Sequence, residues 1–278
     1  MSGLAELSQR HARLQEISGI MTAMKSLSLV EARKLARFIG DQQRMRDNIA
    51  AAAADFLQFY PDTDTGAGDA RAGAATLVLI GSERGFCGNF NERILQALDR
   101  LAPEHGAASL LVVGHRLSTR LAEHPRVVAR LDGPTVTEDV PAVLDLLVDA
   151  LQGLRPAASA GATALLCLGH DQHGEPVLTQ WLPLPRPEMP ARRADAPQLQ
   201  LAPAAFYSEL LEQFLIAALH GELYTSLAAE SHQRLAHMEH ALERLDQTLA
   251  RLALKRNALR QERIVEEIEI MLSSAMAF

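Results

Sequence analysis

The residues best placed to do chemistry lie in one stretch, Gly81-Ser82-Glu83-Arg84-Gly85-Phe86-Cys87-Gly88-Asn89-Phe90-Asn91. It follows an apolar run that ends at Gly81 and precedes a helical pattern that starts at Asn91. Glycines between a strand and a helix let backbone N–H groups approach a phosphate, and the helix N-terminus favours the anion. Here the glycines fall at 81, 85 and 88, which is not the G-x-G-x-x-G spacing. No Gly-Lys-Ser/Thr follows, so neither a phosphate-binding lysine nor a magnesium-binding hydroxyl is supplied. A tight turn that needs glycine accounts for the stretch better than phosphate binding does. Cys87 sits where a helix N-terminus would lower a thiol pKa, yet nothing in the sequence supplies a paired base. A small buried thiol is the simpler reading.

Other candidate groups are weaker. Cys167 lies inside an apolar run and reads as core. His237 and His240 share a helix face, with His232 nearby, but no carboxylate or thiolate set completes a metal site. His170 and His173 flank a turn and read as solvated polar positions. No Ser/His/Asp arrangement is signalled. The chain reads as a mechanical or binding protein without catalytic residues, metal or cofactor. A net charge of −7 argues against a nucleic-acid partner, which would need a basic face. No apolar run reaches the roughly 20 residues that span a bilayer.

The elements that must position these groups show in the proline distribution. All 13 prolines among the 278 residues fall between Pro61 and Pro203. Proline breaks helix interiors, so residues 1–60 and 204–278 are free to form long helices. From Leu235 the apolar residues Met238, Leu242, Leu245, Leu249 and Leu252 follow in alternating steps of three and four, the seam of a coiled coil. The pattern resumes at Leu259 and slips in phase to Ile264, Ile268 and Met271. Leu7, Leu14, Ile17, Met21 and Met24 give a weaker N-terminal seam. A helix over 204–278 would be about 110 Å long and cannot bury its seam alone. An antiparallel pairing with the N-terminal helix meets that need. A parallel homodimeric coiled coil is the alternative. The C-terminal stretch from Ile270 to Phe278 carries no charged side chain, which points to burial in something.

The middle reads as an inserted α/β domain. Residues 61–75 form a polar, Gly-rich linker, and residues 76–203 the domain itself. Strands are expected at 76–81, 109–114, 126–131, 162–168 and 177–182, and helices at 91–101, 115–123 and 140–151. Alternation of this kind favours a largely parallel, Rossmann-like sheet with helices on its faces. The turn His170–Glu175 predicts an antiparallel strand at one edge.

Three segments of this chain resemble the gamma subunit of F-type ATP synthases. In the N-terminal helix, Ile20, Ala23, Met24, Arg33 and Lys34 fit the family's I-T-K-A-M followed by an Arg-Lys pair. In the middle, Ser82, Arg84, Gly85, Cys87, Gly88 and Asn91 fit S-D-R-G-L-C-G-G-L-N. In the C-terminal helix, Ser226, Leu227, Ala228, Glu230, Arg234 and Met238 fit one stretch, and Asn257, Arg260, Gln261, Ile264 and Glu267 fit N-x-x-R-Q-x-x-I-x-x-E. Glu83 and Phe86 replace Asp and Leu of the motif, Val265 replaces a Thr, and Ile270, Ser273 and Ser274 also depart. A divergent or alternative bacterial form is the expectation, supported by the absence of the chloroplast dithiol insert and of an organelle presequence.

The resemblance implies a non-catalytic rotor shaft that couples ion flow through a c ring to ATP synthesis or hydrolysis on an alpha/beta ring. It implies one copy per complex, an epsilon partner, and a place on the cytoplasmic face of a bacterial inner membrane. Met24, Arg33, Lys34, Arg260, Gln261, Glu267, Met271, Met276 and Phe278 are the expected contacts to the alpha/beta ring. A homodimeric coiled-coil scaffold carrying an α/β domain remains the alternative.

Overall fold

The computed structural model describes residues 2–63, 75–154, 164–184 and 196–275. Helix α1 covers Ser2–Phe59 and helix α5 covers Pro203–Ala275. Between them lie strand β1 (Thr76–Ile80), helix α2 (Phe90–His105), strand β2 (Ser109–Val113), helix α3 (His115–Arg120) and strand β3 (Val127–Leu131). Helix α4 (Val140–Gly153), strand β4 (Leu165–His170) and strand β5 (Pro176–Leu182) follow. The chain forms two compact units, one of Met1–Ser28 with Leu235–Phe278, the other of Leu29–Arg234.

In the Leu29–Arg234 unit the sheet runs β3-β2-β1-β4-β5. β1 pairs in parallel with β2 and β4, β2 pairs in parallel with β3, and β5 is antiparallel to β4 at the edge, as the His170–Glu175 turn predicts. The sequence explains the order. β1 and β4 are buried at every position and read as continuous apolar runs, which suits central strands covered on both faces. β3 alternates half-buried with exposed residues, which suits an edge.

Period-two geometry sorts the sheet's side chains into two cores. Leu77, Leu79, Leu110, Val112, Leu166 and Leu168 meet Ile94 and Leu98 of α2 and Leu117 of α3. Val78, Ile80, Leu111, Val113 and Cys167 meet Val143, Leu144 and Leu147 of α4, Leu35 of α1, and Phe214, Leu219, Leu223 and Leu227 of α5. α4 begins with Pro141 in its first turn, where a missing N–H costs nothing. α2 runs past its expected end at 101 and holds Pro103 in its last turns. Within this unit α1 and α5 run antiparallel, since Phe56 packs on Phe206 and Tyr207 while Phe38 stacks on Tyr224 at 5.3 Å.

The other unit is a helix pair. The α5 seam is as the sequence predicts: Met238 is fully buried, and Leu235, Leu242, Leu245, Leu249, Leu252 and Leu259 are half-buried. The α1 seam corrects the sequence reading. Leu7, His11, Leu14, Ser18, Met21 and Lys25 face the partner helix in steps of three and four, and Ser28 closes the run buried. Ile17, counted in that seam, is 46% exposed, and Ile20 and Leu27 are exposed as well. Lys25 pairs with Glu239 at 3.0 Å and so links the two helices of this unit. Beyond Leu259, α5 is exposed at every residue from Arg260 to Ser273.

Candidate functional site

The loop after β1 does bind an anion, and the anion is the chain's own. Glu230 of α5 accepts hydrogen bonds from the backbone N–H groups of Glu83 and Arg84, both at 3.2 Å. These are the donors a phosphate would need. Arg234, one helical turn further on, donates to Glu230, to the Gly85 carbonyl through Nε at 3.3 Å, and to the Cys87 sulfur at 3.4 Å. Glu230 is 3% exposed and Arg234 is 5%. Burial pushes the Glu230 carboxyl pKa up, while Arg234 and the Arg84 and Glu83 N–H groups pull it back. Removing either partner would leave an uncompensated buried charge, at a cost of about 3–5 kcal/mol.

A second carboxylate repeats the device. Glu83 Oε2 accepts from the His115 N–H at 2.8 Å, where α3 begins, and from the Gly133 N–H at 2.7 Å. Ser82 and Asn91 close the loop by exchanging bonds. Asn91 Oδ1 accepts from the Ser82 N–H at 2.9 Å and its Nδ2 donates to Ser82 Oγ at 2.8 Å. Gly81 is required by space, because a Cβ there would sit 2.4 Å from the Leu117 Cβ. Phe86 adopts a left-handed backbone with φ of 65° and is 57% exposed. Arg84 and Gly88 are exposed, and Gly85 is half-buried.

Cys87 is no nucleophile. Burial, and then the neighbouring Glu230 carboxylate, push its thiol pKa up to about 12, so it stays protonated at neutral pH. Cys167 is fully buried in β4. The crevice where the strand order reverses, between the C-terminal ends of β1 and β4, is the ligand site of doubly wound sheets. Here Phe90 and His170 stack across it with ring centroids 3.6 Å apart. His170 is 1% exposed, which corrects its reading as a solvated residue; His173 is exposed. On the other side of His170 a cleft is lined by Ile39, Gln42, Arg46, Thr179 and Glu222 with His170 itself among others, and no residue of the 81–91 loop lines it.

The remaining predicted positions lie on the helices. Lys34 pairs with Glu138, which raises the ammonium pKa, and Glu31 accepts from the Thr137 hydroxyl at 2.8 Å, so α1 is tied to the turn before α4. Arg33 is exposed and Met24 half-buried. Arg260 and Gln261 are exposed; Glu267 accepts from Arg263 at 3.1 Å; Met271 is 62% exposed. Met276 and Phe278 lie outside the described residues. The structure thus gathers Ser82, Arg84, Gly85, Cys87 and Gly88 into one loop with Asn91 in the first turn of α2, and leaves the described ring-contact positions spread along two helices.

A family model described as ATP synthase matches residues 3–278, almost the whole chain. The chain belongs to the ATP synthase family. An ATP synthase gamma chain of Geotalea uraniireducens (strain Rf4) is 24% identical over 294 residues, covering 98% of each chain. One from Chlorobium luteolum (strain DSM 273 / BCRC 81028 / 2530) is 26% identical, covering 95% of this chain and 96% of its own. Among solved structures, a chain of the Euglena gracilis mitochondrial ATP synthase, in an assembly of OSCP, F1 and c-ring, superposes with a TM-score of 0.68. It is 12% identical and the match covers 99% of this chain and 94% of that one. The expected gamma-type family and its fold therefore hold for this chain, including the α/β domain inserted between two terminal helices.

Proposed function

We propose that the chain turns as the central rotor shaft of a membrane ATP synthase. It couples ion flow through a c ring to ATP synthesis or hydrolysis on an alpha/beta ring. The observation that carries this reading is the family match over the whole chain, on a fold whose ends pair as helices around an inserted α/β domain. Residues 1–60 and 204–278 form the shaft, residues 76–203 the foot that meets epsilon and the c ring, and residues 61–75 the linker. One copy serves each complex, with no nucleotide or other cofactor of its own. The chain meets the membrane through the complex, on the cytoplasmic face of a bacterial inner membrane. No helix among the described residues is long and apolar enough to cross a bilayer. The α5 seam is already occupied by α1 within the chain, which removes the surface a homodimeric scaffold would use.

The exposed end of α5 suits an axle inside a ring. Ile264, Ile268 and Met271 recur on one helix face, and Glu262, Glu266 and Glu269 on another. Apolar contact is non-directional, so it slides. Polar contacts from Arg260, Gln261 and Glu267 are directional and can differ between rotary states. Only such differential contacts shift an equilibrium among states. Met24, Arg33 and Lys34 serve the ring from α1, and Met276 and Phe278 from the extreme end of the chain. The double change Arg260→Ala with Gln261→Ala should leave assembly intact and lower coupled ATPase activity about thirtyfold, the scale of two lost polar contacts at about 1 kcal/mol each. Full activity in the assembled double variant would refute the contact assignment.

A further inference from the structure

The foot domain is held to the helices in two physically different ways. Most of the contact is apolar, between one sheet face and the flanks of α1 and α5. Apolar contact resists separation but has no preferred direction, so by itself it lets the foot turn or creep against the helix. The polar attachment joins the Lys34–Glu138 pair and the Thr137–Glu31 bond on α1 with the group of bonds around Glu230 and Arg234 on α5. One carboxylate takes two backbone N–H groups of the 81–91 loop, and one guanidinium takes a carbonyl and the Cys87 sulfur of the same loop. Both side chains come from α5, four residues apart, and both are almost fully buried. Bonds of this kind are charge-assisted and angle-dependent, and beside side chains as buried as these they are stronger than at a surface.

We infer that Glu230 and Arg234 act as a torsional clamp: positioning residues that fix the angle between the foot and α5, so that torque passes from one to the other without slip. The inference rests on the shaft reading. It also explains the loop glycines and the buried Cys87, which serve no catalysis. The glycine turn brings three backbone groups within reach of one helix turn, and the small thiol fills the space beneath the guanidinium.

The test uses the complete ATP synthase in membrane vesicles, comparing ATP hydrolysis with ion transport driven by that hydrolysis. Glu230→Gln is expected to retain hydrolysis while transport per ATP falls about threefold or more, since a charge-assisted bond is lost. That single change also strands the buried Arg234 charge inside the foot. The second variant is therefore Glu230→Leu with Arg234→Met, because replacing a buried ion pair by apolar side chains of similar volume is often neutral or stabilising. The loop N–H groups it releases belong to residues that are not buried. This double variant should assemble in normal amount, with an unchanged thermal midpoint, and still transport poorly per ATP. Full transport per ATP in the double variant would overturn the clamp and leave the pair a purely structural role. If the unaltered chain failed to assemble with the alpha/beta ring, the shaft reading would fall and the clamp with it.

Discussion

Glu230 and Glu83 fill with their own carboxylates the positions where the loops at the strand ends could receive an anion, and Phe90 with His170 fills the crevice beside them. His170 bears a cost for this. Burial, and then the nearby Arg93 guanidinium, lower its pKa from 6.5 to about 4. Between those values the unfolded chain takes up a proton that the folded chain refuses. Stability from this group is therefore complete above about pH 6.5 and is lost as the pH falls toward 4. At pH 5 the loss is about 2 kcal/mol. Glu222 and Glu230, whose carboxyls burial pushes up, act in the opposite sense, so a variant is needed to isolate the histidine. His170→Phe keeps an aromatic ring on Phe90 and removes the titration. Its urea midpoint should fall less between pH 7 and pH 5 than that of the unaltered chain; equal falls would contradict the assignment. None of this was legible in the local sequence. A histidine beside a turn carries no mark of burial, and Glu230 acts on residues 146 and 147 positions away. The hint available was two ionisable residues one helical turn apart, just after the apolar run Leu227-Ala228-Ala229.

The elements were more legible, for a reason that separates the two helices. The α5 seam is built from leucines and a methionine in strict alternation of three and four, so its periodicity announces itself. Met238 is fully buried there and Leu254 is 72% exposed on the same helix. Met238→Ala should lower stability by about 3 kcal/mol, whereas Leu254→Ala should change it by less than about 0.5 kcal/mol. Denaturant unfolding followed by circular dichroism checks both, and equal losses would contradict the seam. In α1 the inward positions include His11, Ser18, Lys25 and Ser28, while Ile17, Ile20 and Leu27 face outward. Leu7, Leu14, Met21 and Met24 of the expected seam are half-buried and Ile17 is not, so apolar periodicity found most of the face and missed its polar members. The strands were read nearly to their ends because central strands form unbroken apolar runs bounded by glycine or polar turns. β4 and α2 shifted or lengthened by a few residues, since a strand end in Gly169 and His170 and a proline in a last helical turn both look like loop.

At the scale of the whole molecule, the proline-free ends and the proline-bearing middle have separate tasks. Stiff helices suit a part that turns, and a sheet covered by helices on both faces suits a part that has to hold. The buried charges of Glu230 and Arg234 join α5 to the loop. The proposed ring contact uses the exposed apolar and acidic faces at the end of α5. The measurement that tests the account most directly is co-expression of this chain with alpha and beta subunits, followed by purification and mass determination of the complex. The account predicts one copy of this chain bound to each alpha/beta ring, with ATP hydrolysis that drives its rotation. A chain that purifies alone as a stable symmetric dimer, with the ring active and empty, would contradict it.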